Sequence, residues 1–272
     1  MNNNDSLTLS IVIPVYNEER HLKSCLDAIA AQTKAPDEVI IVDNNSTDKS
    51  VEIAKSYDFV RVITEKKQGI VYARNTGFDD VKSDIIARID ADTLLPRGWV
   101  KKVNNFYFHR AHHNHVLTGG GYFYNVRCPR FNGWIQSQLA FRMNRLISGH
   151  YIVWGSNMAL PTVLWKNVRK DVCLRNDIHE DMDLGIHLYN AGYRITYLAK
   201  KLRVGVELKR VYSKRDEQYA HMQRWPKTLR VHGYKLWCMG TLGNILLWYV
   251  FQPMGYIAEG IARLFGRKSL ID

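Results

Sequence analysis

Apolar runs and helix-period stretches take turns along residues 9–89. LSIVIPV at 9–15 is β-branched and nearly continuous, as a strand buried on both faces requires. Behind it, Asn17 is placed to cap a helix with Glu18 and Glu19 in its first turn and Leu22, Cys25, Leu26 and Ile29 as its apolar stripe. EVIIV at 38–42 predicts a second strand, closed by the turn-forming residues 43–46. Residues 60–63 predict a third strand, and IIARI at 85–89 a fourth. Helical patterns fill the intervals. Strands alternating with helices predict an α/β fold with a mostly parallel sheet, in which ligands bind beyond the carboxyl ends of the strands. The polar residues that stop these strands, Asn17, Asp43 and Asp90, are expected along one rim.

Beyond Pro96 the pattern loosens. Pro96 suits the first position of a helix running through Trp99, Val100, Val103 and Phe106. A glycine triplet at 119–121 and an irregular aromatic stretch follow. WGSNMAL at 154–160 precedes a helix that starts near Thr162. A further helix is expected to open at 179–183, bury Leu184, Leu188 and Ala191, and stop at Gly192, with a strand over 193–198. Residues 236–258 carry no charge, a window about as long as a membrane span, although Asn244, Gln252, Pro253 and glycines dilute it. The expectation is a helix lying in the membrane interface, with packing on the protein or a spanning helix as alternatives.

Composition changes this picture in three places. With 272 residues and 46% hydrophobic positions, the chain can bury a sizeable core. Cys25, Cys128, Cys173 and Cys238 lie far apart with no Cys-x-x-Cys pair, which predicts reduced thiols and neither a disulfide framework nor a zinc site. No basic segment followed by an apolar run opens the chain, so a cytoplasmic protein without a secretory signal is expected. The net charge is +12, and residues 200–235 alone hold eleven Lys or Arg against Glu207, Asp216 and Glu217, a local +8. Such a stretch attracts phosphate, on a nucleotide, a nucleic acid or an anionic lipid.

Two acidic groups carry the candidate chemistry. Asp90 and Asp92 end an apolar strand two residues apart, where side chains share a face and can approach one hard cation such as Mg2+ or Mn2+. Glu180, Asp181 and Asp183 open a helix, where carboxylates complement the macrodipole and can also serve as a general base. His109, His112, His113 and His115 gather near a helix end with no Cys or acid to complete a metal shell, and are read as a solvated helix terminus.

The order of the motifs adds a family. SIVIPVYNEE at 10–19, VDNNSTD at 42–48, GIVYARNTGF at 69–78, IDAD at 89–92, GSNMAL at 155–160 and EDMDLGIHLYNAGYRI at 180–195 together resemble the family 2 glycosyltransferases. The resemblance, which covers about residues 9–198, implies a GT-A nucleotide-sandwich domain, set at 7–203, and transfer of a sugar with inversion; the change in composition near Arg203 marks a basic and apolar helical extension over 204–272. It implies that Pro14, Val15, Tyr16, Asn17 and Asp43 contact the base and ribose of the donor. Arg74 would approach the base or phosphates, Asp90 the ribose and metal, and Asp92 would be the main ligand of Mg2+ or Mn2+. Asp181 matches the family's proposed base, with Glu180 as fallback, while Gly155 and Asn157 would line the junction of donor sugar and acceptor. The sequence departs from many members at 170–177 (KDVCLRND), before the Glu-Asp pair. It also has His221 where processive members carry Gln ahead of an Arg-Trp pair, here Arg224 and Trp225, so a processive synthase is not expected. Arg224 would still reach a pyrophosphate, and Trp225 would either stack on an acceptor sugar or anchor the tail.

The expected partners are a nucleotide sugar, UDP-linked by family default, a sugar or lipid-linked acceptor, and an anionic membrane at whose inner face the protein sits peripherally; nucleic acid is not expected. A sugar-nucleotide pyrophosphorylase and a non-catalytic basic binding module are the rival readings.

Overall fold

The computed structural model describes residues 7–125, 133–135, 140–208 and 215–246. A seven-stranded sheet runs in the order β3-β2-β1-β4-β7-β5-β8. Its first half is parallel: β1 (Leu9–Val15) lies between β2 (Glu38–Asp43) and β4 (Ile85–Arg88), with β3 (Val60–Thr64) at the edge. β5 (His115–Gly119) and β8 (Arg194–Leu198) pair in parallel, and β7 (Met158–Pro161) joins the halves antiparallel to both β4 and β5. A second, two-stranded sheet pairs β6 (Gly121–Phe123) with β9 (Val204–Val206).

The two-residue period of the strands distributes the core. Leu9, Ile11, Ile13 and Val15 of β1 face a cluster with Leu22, Cys25, Leu26 and Ile29 of α1 (Leu22–Ala30) and with Trp99, Val100, Val103 and Tyr107 of α4 (Trp99–Phe108). Val12, Ile40 and Val42 face the opposite cluster, with α3 (Ile70–Asp80), α6 (Thr162–Val168) and α7 (Glu180–Asn190). The short α2 (Ser50–Lys55) leads into β3. Fully burying one such aliphatic side chain stabilises by about 1.5–3 kcal/mol, so this doubly covered sheet dominates the stability. A third, smaller cluster holds Phe141, Ile152, Met182, Trp225 and Leu229, and binds α5 (Arg142–Ser148) and α8 (Arg215–Val231) against α7.

Several local expectations are corrected. Asn17 does not cap α1, which begins at Leu22 behind His21. It takes a left-handed φ of 55° instead, and its side-chain oxygen accepts from the Thr47 backbone N–H at 2.8 Å, lacing the end of β1 to the loop after β2. β4 ends at Arg88, so Asp90 and Asp92 lie in a turn and do not share a strand face; the Thr93 N–H bonding back to the Asp90 carbonyl closes that turn. Phe106 is only partly buried, because Tyr107 takes the inward position. Ala191 is exposed, one residue past the last turn of α7. The histidines after α4 have defined work: ring nitrogens of His112 and His113 lie 2.6 and 2.9 Å from the Phe106 and Tyr107 carbonyls, which the helix end leaves open. Cys128, residues 209–214 of the basic stretch and residues 247–258 of the uncharged segment lie outside the described residues.

Candidate active site

The chain runs from β1 to β2 and β3 on one side, then returns to β4 on the other, so the strand order reverses between β1 and β4. A cleft of about 570 Å³ opens at that point, within the usual size of a small-molecule site. Pro14, Val15 and Tyr16 line it from the end of β1, Asp90 and Asp92 from the end of β4, Glu180 and Asp181 from the mouth of α7, and Arg224 and Trp225 from α8. Residues more than 200 positions apart thus meet in one cavity.

One buried arginine joins the two acidic groups. Arg88, the last residue of β4, is 1% exposed; its Nη2 contacts Asp90 Oδ1 at 2.9 Å and its Nη1 contacts Glu180 Oε1 at 2.8 Å. Arg74, fully buried on α3, meets the other Glu180 oxygen at 3.1 Å and donates to the Glu180 backbone carbonyl at 2.9 Å. Burial works against charge on Arg88, but Glu180 and Asp90 outweigh it and hold its pKa above the ordinary value. Burial pushes Glu180 upward, against the pull of Arg88 and Arg74. Asp90 is held on both sides, since the Ser156 hydroxyl donates to its second oxygen. A Cβ at Gly155 would run into the Arg88 guanidinium, so any side chain there must displace it.

Asp181 is placed differently from its neighbour Glu180. Its Oδ2 accepts from the Gly155 N–H at 2.9 Å and its Oδ1 from the Met182 N–H at 2.8 Å, while the residue stays partly exposed to the cleft. Two backbone donors fix the carboxylate and leave lone pairs for a ligand proton.

Part of the cleft lining is electronegative. Glu18, Asp92 and Glu207 form it, and His21 bridges Glu18 at 3.3 Å and Glu207 at 2.8 Å. Burial raises the Tyr124 phenol, and Asp92, Glu207 and Glu18 raise it further; burial likewise raises Cys25, with Asp92, Asp90 and Glu18 adding to it. Carboxylates in this number suit a hard cation that takes oxygen ligands.

Other expected residues lie at or behind the rim. Asp43 accepts from the Ser46 N–H at 3.1 Å within its own turn. Asn157 is fully buried, and its amide bonds to the Gly120 and Leu202 carbonyls and to the Trp99 indole. Trp225 borders the cleft yet is 4% exposed, its indole donating to Asn144 at 3.3 Å. Arg88, Ser156, Glu207 and Trp154 were not singled out from the sequence. Only Arg88 left a signal there, as the single charge inside the apolar run IIARI.

Comparison with known proteins agrees with this architecture. The family model described as glycosyl transferase family 2 matches residues 10–151, and a second, glycosyl transferase family group 2, matches residues 85–265. Glycosyltransferase AglE of Haloferax volcanii is 38% identical over 101 residues, 35% of this chain and 33% of that protein. The chain thus spans about a third of that relative's length. Among solved structures, S. aureus TarS 1-349 in complex with UDP-GlcNAc superposes with a TM-score of 0.63 at 19% identity, covering 89% of this chain and 73% of that one. Mannosyltransferase PcManGT from Pyrobaculum calidifontis, in complex with GDP-Man and Mn2+, superposes with a TM-score of 0.64 at 18% identity, covering 97% and 77%. These likenesses establish the GT-A fold.

Proposed function

Because the chain belongs to glycosyl transferase family 2 and is a glycosyltransferase, we propose that it moves a sugar from a nucleotide donor to an acceptor hydroxyl with inversion, in the cleft at the ends of β1 and β4. The observation that carries the reading is that Asp92, in the turn after β4, and Asp181, at the mouth of α7, line one cavity, with Arg88 joining their neighbours Asp90 and Glu180. Pro14, Val15 and Tyr16 form the wall against which a base and ribose would lie. TarS and PcManGT, solved with UDP-GlcNAc and with GDP-Man and Mn2+, support a nucleotide-sugar donor, and UDP is the donor base we favour. Asp92, with Asp90 beside it, would hold Mg2+ or Mn2+, whose charge stabilises the diphosphate as it leaves. Asp181 takes the acceptor proton. Its two backbone hydrogen bonds fix the carboxylate before substrate arrives, whereas Glu180 is committed to two arginines and serves as their anchor. One base and one leaving-group stabiliser suffice for displacement in a single inverting step. Membership of the family displaces the pyrophosphorylase and the non-catalytic binding module as readings.

The acceptor is proposed to be carried on lipid at an anionic membrane surface, with the segment from Leu236 onward facing the membrane; residues 204–208 and α8 belong to the core and the cleft instead. α9 (Trp237–Ile245) leaves Leu236, Trp237, Leu242 and Ile245 between 38% and 55% exposed, next to the basic stretch. Each Lys or Arg near an anionic leaflet contributes about 1 kcal/mol, and exposed apolar side chains add their burial. Among the described residues no helix is long and apolar enough to cross a membrane.

A panel of nucleotide sugars, assayed for donor hydrolysis with Mn2+ and with excess chelator, tests the central reading. Metal-dependent hydrolysis of one donor is expected; full turnover in chelator removes the metal. Truncation before Leu236 tests the tail. A folded, donor-hydrolysing protein that no longer sediments with anionic liposomes is expected, and a protein that aggregates or melts would make the segment core.

A further inference from the structure

On the flank of α7 away from the cleft, four metal-ligating side chains converge. Asp183 and His187 stand one turn apart on α7 and so share a face. Cys173 comes from the segment before α7, and His232 from just beyond α8. One ligand atom from each lies within 4.8 Å of every other. His232 Nε2 is 2.8 Å from Asp183 Oδ1, and the Cys173 backbone N–H donates to Asp183 Oδ2 at 2.9 Å. Asp183 is fully buried. His187 Nε2 is also shielded from water and lies 3.5 Å from Asp183 Oδ1 without making a hydrogen bond, so this cluster leaves one inward-facing nitrogen unsatisfied.

We propose that Cys173, Asp183, His187 and His232 bind one Zn2+ ion that clamps α7 to the end of α8. The donor set decides the metal. One thiolate, two imidazoles and one carboxylate suit tetrahedral zinc, whereas Mg2+ and Mn2+ prefer oxygen ligands. Zinc bonds of about 2.0–2.3 Å hold tetrahedral ligands closer together than this cluster now stands, so the four side chains draw inward around the ion and His187 gains its missing partner. Binding displaces the thiol proton into solvent, and no redox step is involved. The ligands come from scattered positions with none of the short spacings that mark zinc motifs, which is why the cysteine pattern argued against zinc. The site is separate from the oxygen-lined cleft, yet it acts on it: α7 carries Asp181 and α8 carries Arg224 and Trp225, and the His179 N–H already donates to Thr228 Oγ1 at 2.9 Å near the same seam.

The full chain, stripped with chelator, is titrated with Co2+ alone and followed by absorbance, because only a thiolate ligand gives a sulfur-to-cobalt charge-transfer band. One equivalent is expected to produce the band, and Zn2+ to abolish it by displacement. Cys173→Ser should lose the band and Cys25→Ser should keep it. Zn2+ should raise the melting temperature by roughly 5 °C, an effect lost in Cys173→Ser and His232→Asn. Should His232→Asn fail to fold, Cys173→Ser, on a half-exposed loop position, still decides. Asp92→Asn should bind Co2+ through the thiolate as the wild type does, which separates this site from the proposed donor metal. No thiolate band, a band that survives Cys173→Ser, or a band lost in Asp92→Asn overturns the proposal.

Discussion

The acids after β4 and those at the mouth of α7 lie about 90 residues apart in the chain and are built on the same plan. All four line the cleft, and in each pair one member is also held by Arg88, Asp90 at 2.9 Å and Glu180 at 2.8 Å, while Asp92 and Asp181 are not. The pairs differ in how the second member is fixed. Asp181 is held by two backbone N–H groups at the start of a helix, while Asp92 sits in a turn among other carboxylates. In each pair, then, one member is bonded to a buried arginine, and the proposed function gives the chemistry to the other.

The largest effect should follow from breaking the shared frame. Arg88→Ala removes one partner from a buried ion pair and leaves Glu180 undercompensated, a change that typically costs about 3–5 kcal/mol. Denaturant unfolding should show that loss along with loss of donor binding. Arg88→Lys should rescue poorly, since an ammonium cannot span both carboxylates as the fork does. Wild-type stability in Arg88→Lys would end the common plan.

Next come Asp92 and Asp181, whose removal should separate activity from stability. Asp92→Asn should lower turnover at least about a hundredfold, several kcal/mol of leaving-group stabilisation, with the melting temperature little changed. Asp181→Asn should lower transfer as well but spare nucleotide binding measured by calorimetry. Abolished nucleotide binding would move Asp181 to the donor side. By contrast, Glu180→Gln should destabilise the fold.

A smaller effect is expected at Gly155, where Ala must displace the Arg88 guanidinium. Overpacking of this kind costs about 1–3 kcal/mol, and urea midpoints would register it. A neutral Gly155→Ala would show that the frame has slack.

The smallest effect involves pH. His150 is buried, and burial lowers its pKa below the ordinary imidazole value. Between the folded and unfolded pKa values the unfolded chain binds more protons, so stability is fully present above about pH 6.5 and declines as pH falls below it. His150→Gln should flatten that decline between pH 7 and 5, and an unchanged slope would place the acid sensitivity elsewhere.

The parallel half of the sheet was legible because LSIVIPV and EVIIV are short β-branched runs, apolar on both faces and separated by helical patterns. Asn17 was misread because a polar residue before a helical stripe looks like a cap, and only its left-handed backbone shows that it laces two loops. Asp90 and Asp92 reached the expected cleft by an unexpected route, a turn in place of a strand face. Arg88 was hidden for a deeper reason. Its partners are fixed by tertiary structure alone, and local patterning does not record which distant acid will neutralise a buried cation. The same holds for Asn157, whose three partners come from separate segments.

The arrangement of charges around Glu180 also bears on how the chain assembles as it is made. Arg74 and Arg88 leave the ribosome about 106 and 92 residues before the acid that sits between them, an interval of roughly 5–20 s at ordinary elongation rates. Until then Arg88 has Asp90 beside it, but neither arginine has the acid that lies between them, and burying them so is costly. The arrival of α7 brings Glu180 to both, so docking the second half and completing this buried pairing become one event.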